Sequence, residues 1–429
     1  MLETGLLVLA VFTVGYTMIA RKLSATVLTA PMLFIALGYL LSLTGLLPGE
    51  EAEEAMHLVA EIALVVLLFI DAAQIDLKAL KRQHAWPQRM LLIGLPLAIL
   101  LGTAAMWGFL PDWPIFAIVL AAAILAPTDA ALGQAVVTNP LVPERARRAL
   151  TVESGLNDGL ALPAILLFAS LTGFEMGEDN VDWLVFGAKQ LLLGPLAGAV
   201  VGLSGAWLMV KASEKGLTSD TLEGIGAIAL SGCAYLLAGE IGGNGFIAAF
   251  VGGLCFGNVM KGRCTFVYEF TESEGQILAW GAFFLLGLAL MPEALEHLTW
   301  SMAAMILISL VIVRPLAIWI SLMGSDASVT TRLFFGWFGP RGLATALFAL
   351  LIVPSIDPGF AEPILAIAIN TVWISALLHG LSAQPGARWY AAMVKAMGDC
   401  PETKTAGQSA VPLRKSHHHQ DTNQDRNSS

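Results

Sequence analysis

Ala126-Pro127-Thr128-Asp129 interrupts a long apolar run, 114–137, and Gly339-Pro340-Arg341-Gly342 interrupts another, 331–353. Proline removes a backbone donor and clashes with the preceding turn, while glycine loosens a helix. Each run therefore reads as a membrane-crossing helix broken near its middle. In lipid the freed backbone groups must find new partners, which is tolerated where they line a polar cavity.

Working outward, a crossing helix needs about 20 apolar residues. That length divides the chain into the segments 2–20, 27–47, 57–76, 89–109, 114–137, 148–172, 183–210, 222–240, 245–259, 275–291, 300–323, 331–353 and 361–383. The reading is an all-α polytopic membrane protein with about thirteen transmembrane helices. The broken spans are the fifth and the twelfth. The same offset superposes spans one to six on eight to thirteen and, being odd, reverses their direction. Paired breaks of this kind point to a transporter of two inverted six-helix repeats with its site at the midplane.

Composition agrees. The 429 residues are 56% hydrophobic and 13% charged, where soluble domains carry about 25% charged residues. The net charge of −10 comes without a basic stripe, so no nucleic-acid partner is expected. Cys233, Cys255, Cys264 and Cys400 have no CxxC spacing, and read as packing residues rather than disulfides or a zinc site. The N-terminus opens into an apolar stretch without a basic leader, and Leu2 to Ala20 reads as the first span.

Loops after odd spans are mostly basic: Arg21 and Lys22; Lys78, Lys81 and Arg82; Arg145, Arg147 and Arg148; Lys211 and Lys215; Lys261 and Arg263. Loops after even spans are acidic or neutral, as at Glu50 to Glu54, Asp112 and Glu175 to Asp182. The positive-inside rule then puts the N-terminus outside and the C-terminus in the cytoplasm. Residues 1–385 form the membrane domain, and 386–429 read as a largely disordered cytoplasmic tail. From about Pro401 the composition turns polar, and the run His417-His418-His419 reads as an incidental polar tract.

A charge at mid-bilayer is costly and marks function by default. Asp71, Asp129, Asp158 and Arg341 all fall about 10 to 15 residues into their spans, near the midplane at 1.5 Å per residue. Carboxylates gathered at one depth describe a cation site. The sixth span carries Glu153-Ser154-Gly155-Leu156-Asn157-Asp158-Gly159. Helical spacing puts Glu153 with Asn157 and Ser154 with Asp158 on adjacent faces. Ser154, Asn157 and Asp158 can thus present oxygens together, the ligand a hard cation takes. Glu153 needs a buried cation of its own. Arg341, inside the broken helix, is the best placed, and Arg314 beside Pro315 is the rival.

These stretches, with Leu68-Phe69-Ile70-Asp71 and Asp76-Leu77, resemble the NhaP-type monovalent cation/proton antiporters, bacterial relatives of the animal sodium/proton exchangers. The resemblance covers roughly 1–385 and is carried most specifically by Glu-Ser…Asn-Asp with the downstream Arg-Gly. It implies the sodium/proton antiporter fold: a dimer-forming part and a mobile core with two crossed, unwound helices. Asp158 would bind the proton or the ion (Na⁺ or K⁺). Thr128, Asp129 and Ser154 would help coordinate it, Asn157 would support Asp158, and Glu153 with Arg341 would form a structural ion pair. Asp71 stands where relatives often carry Glu. The family's Gly-Leu-Arg-Gly appears here as Gly-Pro-Arg-Gly. Because Asn-Asp relatives are typically electroneutral, one cation per proton is implied, in a homodimer of the plasma membrane serving pH homeostasis, with no cofactor.

Competing readings lack their signatures. No complete TVGYG filter supports a K⁺ channel or gated efflux pathway: Thr13-Val14-Gly15-Tyr16-Thr17 lacks the closing glycine and lies inside the first apolar span. Neither a Gly-x-Gly-Asp nor a His-Glu-x-x-His stretch supports an intramembrane protease, so no enzyme is expected. A transporter-fold sensor would need more than this short tail.

Overall fold

The computed structural model describes residues 2–23, 26–45, 50–77, 85–175, 183–260, 274–352 and 356–403. The expected loop cations Lys78, Lys81, Arg82, Lys261 and Arg263, together with Cys264 and the histidine run, lie outside them. Among the described residues all regular structure is helical. Among the described residues eight helices are long and apolar enough to cross a membrane, and the shorter apolar helices Ala30–Ser42, Ile115–Ile124, Gly245–Met260 and Leu343–Ile352 accompany them. The chain is a multi-pass membrane protein.

In chain order the helices are α1 (Leu2–Leu23), α2 (Ala30–Ser42) and α3 (Glu50–Ala73). Next, α4 runs from Ala85–Arg89 through a wide π turn, Met90–Gly94, into Leu95–Trp107. The first broken span is α5 (Ile115–Ile124) with α6 (Ala130–Val137). Then come α7 (Glu144–Glu175), α8 (Trp183–Glu214), α9 (Asp220–Glu240) and α10 (Gly245–Met260). Helix α11 joins Glu274–Leu285, a π turn at Leu286–Leu290 and Met291–Glu296. Helix α12 joins Trp300–Ile308, a π turn at Ser309–Val313 and Arg314–Ser321. The second broken span is α13 (Val329–Trp337) with α14 (Leu343–Ile352), and α15 (Pro358–Met397) is last.

The π turns share a cause. Each ends two residues before a proline: Pro96, Pro292 and Pro315. A proline ring clashes with the carbonyl four residues back, and one wide turn moves that carbonyl aside without ending the helix. In α12 this delivers Arg314, the residue just after the wide turn, into the interior.

Lipid tails are as apolar as leucine, so these helices gain by close packing of small residues. Gly198 and Gly202 of α8 lie against the carbonyls of Ala248 and Gly252 in α10, and Gly253 and Gly257 of α10 against those of Phe69 and Ala73 in α3, where a Cβ would collide with backbone. The outward face of α8 bears Leu192, Leu196, Val200 and Trp207, all exposed.

Helix α15 passes straight through the expected boundary at residue 385. The part of the tail up to Thr403 is therefore ordered and packed rather than disordered. Burial explains it: Ala387, Tyr390 and Val394 join Trp86, Val142, Phe334 and Phe335 in a second apolar cluster away from the main core. A polar clasp closes this end. Arg145 pairs with Asp326 at 2.8 Å, donates to Pro401 O at 2.8 Å and lies over the Trp86 ring. Glu402 accepts from Ser328 N at 3.0 Å and from the Thr331 hydroxyl at 2.7 Å. Burial pushes the Glu402 carboxyl up, but the Ser328 and Thr331 donors outweigh it and hold it below its ordinary range. A lowered value in the folded state stabilises the clasp above the ordinary carboxylate range, and this contribution fades as pH falls through the lowered value. Glu402→Ala should accelerate amide hydrogen exchange over Ala387–Met397 by about tenfold, and acidification should do the same to the wild type but not further to the variant. Unchanged exchange in Glu402→Ala would show that the apolar cluster alone holds the helix end.

Candidate functional site

The two breaks cross, and each supplies what the other lost. The Asp129 N–H donates to Pro340 O at 2.8 Å. Asp129 Oδ1 accepts from Leu132 N at 2.9 Å, inside the first turn of α6, and Oδ2 accepts from Leu343 N at 2.7 Å, at the start of α14. One carboxylate thus caps two half-helices, whose N-termini carry unsatisfied donors and a partial positive charge. Asp129, expected as an ion ligand, is placed as a cap. Arg341 Nη1 donates to Pro127 O at 3.1 Å, a carbonyl freed by the other break, and lies 3.4 Å from Gly339 O. The flanking glycines are dictated by space: a Cβ on Gly342 would strike the Asp129 carboxylate, and one on Gly339 would strike the Arg314 guanidinium.

Arg314 is the partner of Glu153. Its Nη1 and Nη2 donate to Glu153 Oε1 at 3.2 Å and Nη2 to Oε2 at 3.3 Å, with both side chains buried. The expected Glu153–Arg341 pair is therefore corrected. Arg341 has the right depth, but its guanidinium is turned to backbone carbonyls, while the wide turn of α12 brings Arg314 under the second break.

Around Glu153 the polar groups close into a network. The Thr128 hydroxyl donates to Glu153 Oε2 at 3.3 Å and accepts from Asn157 Nδ2, which also lies 3.4 Å from Glu153 Oε1. The Ser154 hydroxyl donates to Thr128 O at 2.9 Å. Two oxygens next to this network have no hydrogen-bond partner among the described residues: Asn157 Oδ1 and Asp158 Oδ1, both buried. A buried oxygen left so is expensive, and an alkali cation or a proton is the kind of partner that satisfies it. Asp71 and Asp129 lie within electrostatic reach of Asp158. Asp71 ends α3 and packs by its carbonyl against Gly155 of α7. On the other side, Gly159 makes room for the Phe250 ring, and Phe250 clusters with Ala72, Ile75, Leu91 and Leu156 to form an apolar wall.

A cleft of about 40 Å³ reaches the site between α6, α7 and the second break. Thr128, Asp129, Glu153, Ser154, Phe338 and Pro340 line its inner part, and Val137 and the exposed Thr151 lie toward the α6–α7 turn. Asp158 stands one helical turn beyond Ser154, off the lining. Of the residues expected at the site, Thr128, Glu153, Ser154 and Asn157 share one hydrogen-bonded network, and Asp158 follows Asn157 on α7. Sequence reasoning missed Asp129 as a double cap, although an Asp directly before Ala-Ala-Leu-Gly is a readable helix start, and it missed Ser375, whose Oγ accepts from Arg341 N at 2.7 Å.

Removing one partner of a buried ion pair strands the other, at a cost of about 3–5 kcal/mol. A double-mutant cycle on thermal stability in detergent should thus give Glu153 and Arg314 a coupling above about 1 kcal/mol and Glu153 and Arg341 distinctly less. The reverse order would restore the Arg341 pairing.

Residues 8–389 match the family model for the transmembrane domain of sodium/hydrogen exchangers. The K⁺/H⁺ antiporter NhaP2 of Shewanella sp. strain MR-4 is 28% identical over 367 residues, covering 83% of this chain and 62% of that protein. The chain therefore spans about three fifths of the length of such relatives. The Na⁺/H⁺ antiporter NhaH of Halobacillus dabanensis is 26% identical over 370 residues, covering 82% of this chain and 89% of that one. The structure of the sodium proton antiporter MjNhaP1 from Methanocaldococcus jannaschii superposes with a TM-score of 0.74 at 21% identity, over 91% of this chain and 98% of the other, so the fold is shared. With the family model spanning nearly all of the described helices, the chain belongs to the sodium/hydrogen exchanger family.

Proposed function

We propose that this protein exchanges a monovalent cation, Na⁺ or K⁺, for protons across a membrane by alternating access, the two competing for Asp158. The observation that carries the reading is the pair of buried, unpartnered oxygens on Asp158 and Asn157 beside the crossed breaks. Relatives named as K⁺/H⁺ and Na⁺/H⁺ antiporters support the substrate class. A bare carboxylate in a low-dielectric barrier is costly. The site therefore crosses carrying a proton or a cation, and not empty; that restriction is antiport.

The network divides the labour. Asp158 supplies the exchangeable charge, and the Asn157 carbonyl and Ser154 hydroxyl supply neutral oxygens. Thr128, whose hydroxyl both donates and accepts within the network, orients Asn157 and Glu153. Asp71, at the end of the facing helix, adds negative potential that favours cations. Glu153 is neutralised by Arg314, so it contributes no net charge to the cycle. With Asn157 neutral as well, one cation per proton is the expected stoichiometry.

The cleft runs toward the α6–α7 turn, next to Arg145, Arg147 and Arg148. By the positive-inside rule that side is cytoplasmic, which puts the N-terminus outside and the C-terminus inside a plasma membrane. The two inverted repeats gain support from α4 and α12, each of which carries a wide turn two residues ahead of a proline. For α1, the stretch Thr4–Leu23 buries none of its best membrane window against the rest of the chain, which suits a homodimer contact.

In proteoliposomes with a preset pH gradient, Na⁺ or K⁺ should collapse the gradient for the wild type and not for Asp158→Asn. Correctly folded wild type inert to both ions over a broad pH range would move a gated K⁺ pathway or a transporter-fold sensor to the front. With the driving pH gradient held constant, the exchange rate should change less than about twofold under an imposed potential of 100 mV, a field that acts on each net charge moved with about 2.3 kcal/mol. A strong rise with potential would exclude electroneutral exchange.

A further inference from the structure

On α15, Ser375, His379 and Ser382 recur at i, i+4 and i+7, a polar stripe that continues from Thr371 along a largely apolar membrane helix. Among the described residues none of them hydrogen-bonds to the network around Glu153, yet all three hold the second break. Ser375 Oγ accepts from Arg341 N at 2.7 Å. His379 Nε2 lies 3.0 Å from Trp337 O, on the last residue of α13, whose carbonyl also accepts from Gly339 N. The Trp337 indole donates to Ser382 Oγ at 2.9 Å. Ser375 and His379 are buried. Both edges of the break are therefore strapped to one unbroken helix.

Resting on the exchange reading above, we propose that Ser375 and His379 are positioning residues that set the geometry of the second break, and through it the cation affinity of the site. The chain of contacts is short. Arg341 N is fixed by Ser375, Arg341 Nη1 reaches Pro127 O, and Leu343 N, two residues further on, binds Asp129. A shift at Arg341 is thus felt directly at the residues on either side of Thr128.

The imidazole stands between two backbone carbonyls. Nδ1 lies 3.1 Å from the Ser375 hydroxyl and 2.9 Å from the Ser375 carbonyl. With the proton on Nε2, the Ser375 hydroxyl, which accepts from Arg341 N, gives its proton to Nδ1 and Nε2–H donates to Trp337 O, while the Nδ1 lone pair also faces the Ser375 carbonyl; with the proton on Nδ1, that carbonyl is satisfied and the Nε2 lone pair faces Trp337 O. An imidazolium would place a further positive charge beside Arg341 and Arg314, the two charged groups that act on the ring. His379 therefore works as a neutral strap in either tautomer, and carries no proton of the transport cycle.

The test is cation-driven exchange in proteoliposomes as a function of cation concentration and pH, for wild type, His379→Ala, His379→Gln and Ser375→Ala. His379→Ala and Ser375→Ala each remove buried hydrogen bonds that hold the break and should raise the apparent KM for the cation about tenfold. The midpoint of the pH profile should stay in place. Gln, whose amide N–H can reach Trp337 O, should bring KM back to within about threefold of wild type. If His379→Ala fails to insert, Ser375→Ala still decides, since it removes only a hydroxyl. Variants that fold with unchanged KM overturn the proposal, as does lower maximal rate at unchanged KM. A shift of the pH midpoint by more than about half a unit in His379→Gln would make the ring a titrating group and overturn it too. Inert wild type would strike the exchange reading first and the strap with it, whereas failure in the variants alone strikes only the strap.

Discussion

The rest of the site depends on the mutual satisfaction of two broken helices in a medium that offers no water to either. Each break frees carbonyls and N–H groups, and inside lipid every such group must find a partner in the protein. The first break gives Pro127 O to Arg341; the second gives Leu343 N and Pro340 O to Asp129. Neither break is tenable alone. Asp129 is buried because it completes two helix starts at once, and Gly339 and Gly342 are required because any side chain there would occupy the space of Arg314 or Asp129. The crossing is a single unit of structure although its parts are more than two hundred residues apart in sequence.

Charge follows from that unit. Glu153 and Arg314 are within 3.2 Å and hydrogen-bonded at several atoms, so they cancel. Asp129 faces two helix N-termini, whose dipoles offset part of its charge. Asp158 is left with one oxygen that neither a helix end nor an arginine claims among the described residues. Several acidic groups at similar depth thus differ sharply in what they can do, and the difference lies in their partners rather than in their residue type.

The breaks and the acidic residues were legible in the sequence because lipid makes both proline and charge conspicuous. Pro127, Pro340, Glu153 and Asp158 stand out in runs of apolar residues, and helical spacing alone put Ser154, Asn157 and Asp158 on neighbouring faces. The partner of Glu153 was not legible. Arg314 and Arg341 share a plausible depth, and what separates them is which carbonyls each side chain meets and the wide turn before Pro315, both consequences of tertiary packing. The far end of α15 was hidden for another reason. Beyond residue 385 hydropathy falls, and what keeps the helix going is burial of Tyr390 and Val394 against residues from α4, α7 and α13, contacts no local window contains. Ser375 and His379 left a signal, a polar pair four apart in an apolar helix, which means little until the break it faces is known.

The kinds of contact differ across the molecule in a way that suits a moving site. Helices α3, α8 and α10 meet backbone to backbone at several glycines. Such contacts are stiff, because any rotation brings main chain into collision. The crossing is held instead by directional hydrogen bonds from Asp129, Arg341 and Ser375 to backbone atoms. These fix orientation within the unit, while the unit's outer contacts to α7 run through side chains such as Thr128, Ser154 and Asn157. A rigid crossing that carries its own hydrogen bonds can shift as one body without exposing an unpaired backbone group to lipid. That is the condition a helix break must meet if the site beside it is to face alternate sides of a membrane.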